Sequence, residues 1–380
     1  MKYQNYLTSL TFLTLVIVTA GSTLIFLSDP YGIFGAPRIK DFNARKPAAE
    51  NRVRISKPLQ VEHIKPKTII IGNSRPEMGL NPAHSCWKQD KLPVYNLSIP
   101  GSSVYMQTRF LEHAISLSNA TTILMGIDFQ DFLVTKHNSL SPYIWPPGKT
   151  SFDAKLSINP NGSINTKYSY EKYKTYINNI LSLDSLKDSI ITLQQQANSS
   201  STHRTSLGFN PANNYYMNII NNEGVNVLFT QKKRALKKVF LKNSWSIYHQ
   251  NTQWSSAFES LSRVIKLTKR KGIKLYLFIN PYHQDYLNII NSAGLWPAFK
   301  LWKENLKQLV YAESHISLWD FALYNQYTQE MPDLQNPKKQ LNWFWEPSHY
   351  REKLGEIMLS NMLDDPCFYD AKSKAGLQLK

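Results

Sequence analysis

Apolar residues are distributed along the chain in three different patterns. The first is a single run, residues 7–27 (LTSLTFLTLVIVTAGSTLIFL), 21 residues without a charge, which as a helix would reach about 31 Å. That matches one crossing of a hydrocarbon core. A cleaved signal peptide is the rival reading, because Ala20-Gly21-Ser22 offers small residues for cutting. Yet Leu24-Ile25-Phe26-Leu27 carries the apolar run past that point, so the segment reads as an uncleaved transmembrane anchor. No later stretch of this length is free of charge, so one span carries a large polar body.

The second pattern is a set of short β-branched runs at 68–71 (TIII), 93–97 (PVYNL), 121–125 (TTILM), 273–279 (IKLYLFI) and 316–319 (ISLW), which predict strands. The third is helical. In 102–118, Met106, Phe110, Leu111, Ala114 and Ile115 share one face at a 3.6-residue period. Further helices are predicted over 254–271 and 297–312. Nearly continuous apolar strands separated by helices imply a parallel sheet flanked by helices on both faces, the α/β class.

The stretches between these elements divide the chain. Residues 29–66 begin DPYGIFGAPRIKDFNARKP and read as an irregular stalk after an anchor at 1–28. Residues 67–135 and 246–365 carry the two halves of the α/β domain, and 366–380 form a tail. Between the halves, 136–245 is a large polar insertion rich in Asn, Ser, Tyr and Lys. Its 14 Lys/Arg face 5 Asp/Glu, a surplus of +9 within the chain's formal +17. It includes Lys232-Lys233-Arg234 and Lys237-Lys238. This segment is either a solvated helix face or a lid or groove wall that holds an anionic polymer.

Composition narrows the classes. At 42% hydrophobic and 19% charged, the chain is not wholly disordered. Two cysteines, Cys86 and Cys367, exclude a disulfide-dense scaffold and a cysteine-built zinc finger. The positive surplus suggests an anionic neighbour: nucleic acid, phospholipid headgroups or an acidic polysaccharide. No Walker loop, dinucleotide fingerprint or nucleic-acid motif is present, so nucleic acid is not an expected partner. His63, His84, His113, His137, His203, His249 and His315 show no ligand spacing, so neither a metal nor a cofactor is expected.

Two segments carry candidate chemistry. The first strand ends Ile71-Gly72-Asn73-Ser74-Arg75. A serine on a tight turn out of a parallel strand exposes its hydroxyl at the carboxyl edge of the sheet, where open α/β folds place ligands. Serines after strands are common, so alone this decides little. Near the other end, Trp345-Glu346-Pro347-Ser348-His349-Tyr350 precedes a helix with Leu354, Ile357, Met358 and Met362 on one face. A carboxylate three residues before a histidine can orient the imidazole through one ring nitrogen, leaving the other to accept a serine proton. Alternatively, His349 caps the last helix.

Together these blocks resemble the SGNH (GDSL-like) hydrolase superfamily. Gly72-Asn73-Ser74-Arg75 is similar to its nucleophile block, Asn96-Leu97-Ser98-Ile99-Pro100-Gly101 to the block whose glycine serves the oxyanion hole, and Glu346-Pro347-Ser348-His349 to its terminal D-x-x-H. The resemblance covers roughly residues 66–135 and 250–362. It implies a three-layer α/β fold with Ser74 as nucleophile, His349 as base and Glu346 as the acid that orients it. The backbone N–H groups of Ser74 and Gly101 would form the oxyanion hole, with the Asn73 side chain as a further donor. Asn73 and Glu346 each stand where the family usually has Asp. The family's G-x-N-D block reads Gly126-Ile127-Asp128, without its asparagine donor. An ionised aspartate cannot donate, and one missing oxyanion donor costs about 3 kcal/mol unless another compensates. Arg75, Asp128, Asn280 and His283 are the substrate-binding candidates. Arg75 would hold an anionic acceptor or pair with a carboxylate such as Glu77; Asn280-Pro281-Tyr282-His283 would position substrate or form a structural turn. Asp320 reads as a turn or cap residue.

The single span followed by Asp29-Pro30-Tyr31-Gly32-Ile33-Phe34-Gly35 and then G-N-S-R resembles the membrane-anchored bacterial branch related to cell-envelope polysaccharide O-acetyltransferases. That implies an inner-membrane protein with its body in the periplasm, a polysaccharide acceptor and a membrane-bound O-acyltransferase as a partner. Arg38, Lys40, Arg45 and Lys46 against Lys2 alone would favour the opposite orientation, but large domains translocate largely regardless of such charges. In an oxidising periplasm Cys86 and Cys367 can pair and fasten the tail to the region after the nucleophile. The expected function is acyl transfer to a polysaccharide through a serine acyl-enzyme. A carbohydrate esterase, or a non-catalytic polysaccharide-binding or assembly protein on a degenerate fold, are the alternatives.

Overall fold

A computed structural model of the chain describes residues 2–135, 150–198, 204–242, 244–249, 251–253, 255–370 and 372–380. The start of the expected insertion (136–149), His203, and Trp254 at the head of an expected helix lie outside the described residues.

The chain opens with α1 (Lys2–Ser28), a helix long and apolar enough to cross a membrane. It continues through α2 (Val53–Ile64), β1 (Thr68–Ile71), α3 (Ser74–Gly79), β2 (Val94–Asn96), α4 (Val104–Leu117), β3 (Thr122–Ile127) and β4 (Val134–Thr135). Four helices follow, α5 (Tyr168–Ile180), α6 (Leu183–Gln194), α7 (Asn213–Glu223) and α8 (Val225–Phe240), then β5 (Trp245–Ser246). The second half is α9 (Ser256–Lys271), β6 (Lys274–Ile279), α10 (Gln284–Ser292), α11 (Trp296–Val310), β7 (Ile316–Asp320), β8 (Phe344–Glu346), β9 (His349–Tyr350), α12 (Glu352–Leu363) and β10 (Leu377–Gln378).

The main sheet runs β10-β7-β6-β3-β1-β2, parallel throughout except for the antiparallel edge strand β10. Side chains on a strand alternate between faces, and here each face has its own core. Ile69 and Ile71 of β1, Ile123 and Met125 of β3, and Leu275 and Leu277 of β6 pack with residues of α4, α9, α10 and α11 on one side. Ile70, Leu124 and Phe278 from the same strands pack with α12 on the other. Both sets are fully buried, each aliphatic side chain contributing about 1.5–3 kcal/mol over an exposed one. This two-sided burial is why the strands read as continuous apolar runs. Counted along the chain, the five parallel strands lie in the order 2-1-3-4-5. The order reverses between β1 and β3, and the crevice at their carboxyl ends is where such sheets take ligands.

Two expectations need correction. Residues 29–66 are not an irregular stalk. Lys57 and Pro58 are buried within α2, and Lys57 donates to Glu77 Oε1 at 2.8 Å and to the Ser98 carbonyl at 2.5 Å. Burial pushes its ammonium down to about 8. Nor does the described part of the insertion stand outside the packing of the α/β domain. Asn96 N–H of the edge strand β2 donates to the Leu207 carbonyl at 2.9 Å, Arg204 Nε lies 3.0 Å from Glu77 Oε1, and Leu236 and Phe240 enter the main core. Finally, α10 and β10 were not anticipated from the pattern. Cys86 and Cys367 are disulfide-bonded with Cα atoms 5.6 Å apart, tying the loop after α3 to the segment after α12.

Candidate active site

Ser74 is the first residue of α3, directly after β1. The turn into it depends on Gly72: a Cβ there would lie 2.6 Å from Pro76 Cγ and 3.0 Å from the Gly126 carbonyl, so any side chain would push α3 off the sheet. Asn73 caps the helix by accepting the Arg75 N–H at 3.0 Å.

Asn96, Ser98 and Gly101 shape the neighbouring loop. Asn96 Nδ2 donates to the Pro76 and Leu80 carbonyls and its Oδ1 accepts from Ser98 N–H, binding the loop after β2 to α3. Ile99 to Ser102 then form a β-turn closed by Ser102 N–H to the Ile99 carbonyl at 3.1 Å, with Gly101 at φ +65°. Proline followed by a positive-φ glycine is the pattern a type II turn requires. Among the described residues, the N–H groups of Ser74 and Gly101 have no hydrogen-bond acceptor, and both residues line one cavity of about 390 Å³.

Glu346 and His349, expected on a loop, stand on a β-hairpin. β8 and β9 pair with Glu346 opposite His349, and Pro347-Ser348 is the two-residue turn. Directly opposed residues project to the same face, which is why a spacing of three brings carboxylate to imidazole. His349 Nδ1–H donates to Glu346 Oε1, and Glu346 Oε2 accepts the Ser348 N–H at 2.8 Å. In that tautomer His349 Nε2 is an acceptor, and Ser74 Oγ donates to it at 2.7 Å. The longer glutamate side chain therefore still reaches the ring. Burial pulls the His349 imidazole below its ordinary value, with Lys232 and Arg75 adding to the effect and Glu346 opposing it. The ring is neutral at neutral pH, the form a general base needs. Burial raises the Glu346 carboxyl, but His349, Lys232 and the Ser348 N–H outweigh it and hold the group below the ordinary carboxylate range.

The remaining expected site residues divide. Arg75 does not pair with Glu77. Its guanidinium Nη1 lies 2.8 Å from Asp128 Oδ2, its Nε donates to the Ser348 carbonyl at 2.7 Å, and Tyr282 and Tyr286 lie beneath it. It thus fastens the nucleophile turn to the histidine hairpin instead of standing free for an anionic acceptor. Asp128 is fully buried and accepts from Asn73 Nδ2 (2.5 Å), Asn280 Nδ2 (3.1 Å) and Tyr282 OH (2.9 Å). Asn280 and His283 are also fully buried, and His283 caps α10 while bonding to the Glu330 carbonyl. None of these three lines the cavity. Asn73 is not a free oxyanion donor either, since its amide nitrogen faces Asp128 and, at 3.5 Å, Asp131. Asp320 pairs with Lys303 at 2.6 Å.

The chain matches no protein-family model and no curated protein.

Three cavity neighbours were not singled out individually from sequence. Lys232 of α8 lies 3.4 Å from Glu346 Oε1 and lines the cavity with Leu236 and Val239. Its neighbour Lys233 pairs with Asp285 at 3.1 Å, while Arg234, Lys237 and Lys238 stay exposed, so the basic cluster is partly site wall and partly solvated face. Tyr216 stacks on Trp345 and lies 3.4 Å from His349 Nδ1. Asp131 sits on the cavity wall, where burial and the Asp128 charge raise its carboxyl above the usual carboxylate range, against Arg75 and Asn73. Three residues after Asp128 and past an apolar run, it carried no signal beyond proximity to that block.

Proposed function

We propose that this protein is a membrane-anchored acyltransferase of the SGNH type that modifies a cell-envelope polysaccharide through a serine acyl-enzyme. The observation that carries the reading is the alignment of Ser74 Oγ on His349 Nε2 at 2.7 Å, with Glu346 on the other ring nitrogen. In this scheme Ser74 Oγ attacks the acyl carbonyl while its proton passes to His349 Nε2. The N–H groups of Ser74 and Gly101 stabilise the oxyanion, and collapse expels the leaving alcohol, which takes the proton from His349. A sugar hydroxyl then gives its proton to His349 and attacks the acyl-Ser74 ester, releasing the acylated sugar and restoring the serine.

The esterase alternative uses the same groups with water in the second step. An anchor, with Lys232 of α8 on the cavity wall, favours a polymeric acceptor. In this reading the body lies in the periplasm of an inner-membrane protein, and the Cys86–Cys367 disulfide supports it, since such bonds persist in an oxidising compartment. A membrane-bound O-acyltransferase would supply the acyl group there.

A charged, membrane-impermeant fluorophosphonate added to intact spheroplasts should label the wild type and leave Ser74→Ala unlabelled. Labelling only after lysis would place the body in the cytoplasm. Absence of labelling on purified, folded protein would overturn the catalytic reading in favour of a scaffold. With p-nitrophenyl acetate as donor, acetyl appearing on added polysaccharide would support transfer, and release of free acetate alone would assign an esterase.

A further inference from the structure

The helical hairpin α5–α6 presents an apolar surface that nothing in the described residues covers. Along α5, Tyr170, Tyr173 and Ile177, continuing into Leu181, recur at helical spacing and are 56–65% exposed; Leu183 at the tip is 82% exposed. A stripe at this period normally faces a core. Here the protein-facing side is Tyr168 and Thr175 instead.

The hairpin's position relative to α1 indicates what covers the stripe. Tyr176 packs on Phe34, which packs on Phe26; one turn further along α5, the Ile180 carbonyl accepts from Ser22 Oγ at 3.3 Å. The two helices therefore run antiparallel, with α5 descending beside the anchor. On the returning helix, Leu186 lies against Gly21. Leu183 precedes Leu186 by three residues, which places the tip about 4.5 Å lower, near the level of Val18. Residues 3–20 of α1 are exposed throughout, whereas Ile25 and Ser28 are buried by the body. The uncovered part amounts to about 27 Å of helix, within the roughly 17–25 residues that one crossing takes. The body-side boundary of a bilayer crossed by α1 thus falls at the hairpin tip and not at the end of the helix. Asp184 and Lys187, exposed just behind the tip, limit the depth to the headgroup region, while Tyr173 and Tyr170, with Lys172 and Lys174 over their rings, stand about 15–20 Å further up α5 on the water side.

We propose that the tip of the α5–α6 hairpin is a second membrane contact, seating Leu181 and Leu183 in the headgroup–acyl boundary of the bilayer that α1 crosses, with Ile177 above them among the headgroups. The contact fixes the tilt and height of the body on the membrane, so the catalytic cavity does not swing on a tether. This rests on α1 crossing a bilayer and is independent of the chemistry at Ser74.

The test uses the full chain in phospholipid nanodiscs small enough to hold one copy. Ile17→Cys, Leu183→Cys and Leu334→Cys are each labelled with bimane; Leu334 is a control that is 84% exposed on the body. A nitroxide on acyl carbon 5 of the lipid should quench the label at 183 about threefold or more above that at 334, and aqueous iodide should show the reverse order. The label at 17 should be quenched by lipid alone. Equal iodide access at 183 and 334 overturns the proposal, as does protection from iodide at 183 without lipid quenching. Iodide access at 17 removes its premise.

Discussion

Replacing Arg75 by Met separates two roles for the residue beside Ser74. The guanidinium is 7% exposed and bonds to both Asp128 and the Ser348 carbonyl. Without it, Asp128 keeps its donors Asn73, Asn280 and Tyr282 but remains a fully buried carboxylate with no cation. Removing one partner of a buried ion pair costs about 3–5 kcal/mol, so Arg75→Met should destabilise the fold by that much. Asp128→Asn strands the guanidinium in turn, and the double variant Arg75→Met/Asp128→Asn should be less destabilised than the sum of the singles by about 1–3 kcal/mol. The assay is urea unfolding of the detergent-solubilised full chain, followed by tryptophan fluorescence. Initial rates on a small ester should fall as well, because the Ser348 carbonyl no longer ties the histidine hairpin to the serine turn. If Arg75 instead held an acceptor, stability and small-ester rates would be unchanged and only polymer use would suffer. An Arg75→Met protein within about 1 kcal/mol of the parent, with additive behaviour in the double variant, would refute the bracing role.

Ester hydrolysis should fall on acidification with a midpoint below the ordinary histidine value of 6.5, because His349 must be neutral and its value is depressed; Lys232→Met, which removes one depressing charge, should move that acid limb to higher pH in a kcat/KM profile. Ser74→Ala and His349→Ala should each abolish most turnover, and the double variant should lose little more, since the two act as a unit. Gly79→Ala should prevent folding, seen as loss of soluble yield, because its Cβ would fall 1.9 Å from Tyr350 Cε2 and overpacking on this scale exceeds the usual cost of about 1–3 kcal/mol.

Local signals carried the sheet and the catalytic blocks. The five parallel strands were legible because two-sided burial leaves unbroken β-branched runs. Gly72-Asn73-Ser74 was legible as a tight turn after a strand, whereas Gly101 and the Glu346–His349 pair were read through the family resemblance, the hairpin that opposes the pair having been expected as a loop. The amphipathic α4 and α9 likewise announced themselves by period. Helix α2 did not, since its buried Lys57 and internal Pro58 look like exposed linker until Glu77 and Ser98 supply the partners. Strand β10 has two exposed residues and no pattern to read.

The sequence by itself determined which residues could do chemistry and where each block sits on a strand or turn, because those choices are set within a few residues. The tertiary structure alone decided their partners. Ser74 and His349 are separated by 275 positions, and Arg75 pairs with Asp128 and not with Glu77, nearer in sequence, whose Oε1 is taken by Lys57 and Arg204. Asp128, Asn280 and His283 were withdrawn from the cavity by burial, and Lys232 was brought to it by α8. Pairing of buried charges depends on what the whole fold leaves unpaired, and no local pattern encodes that balance.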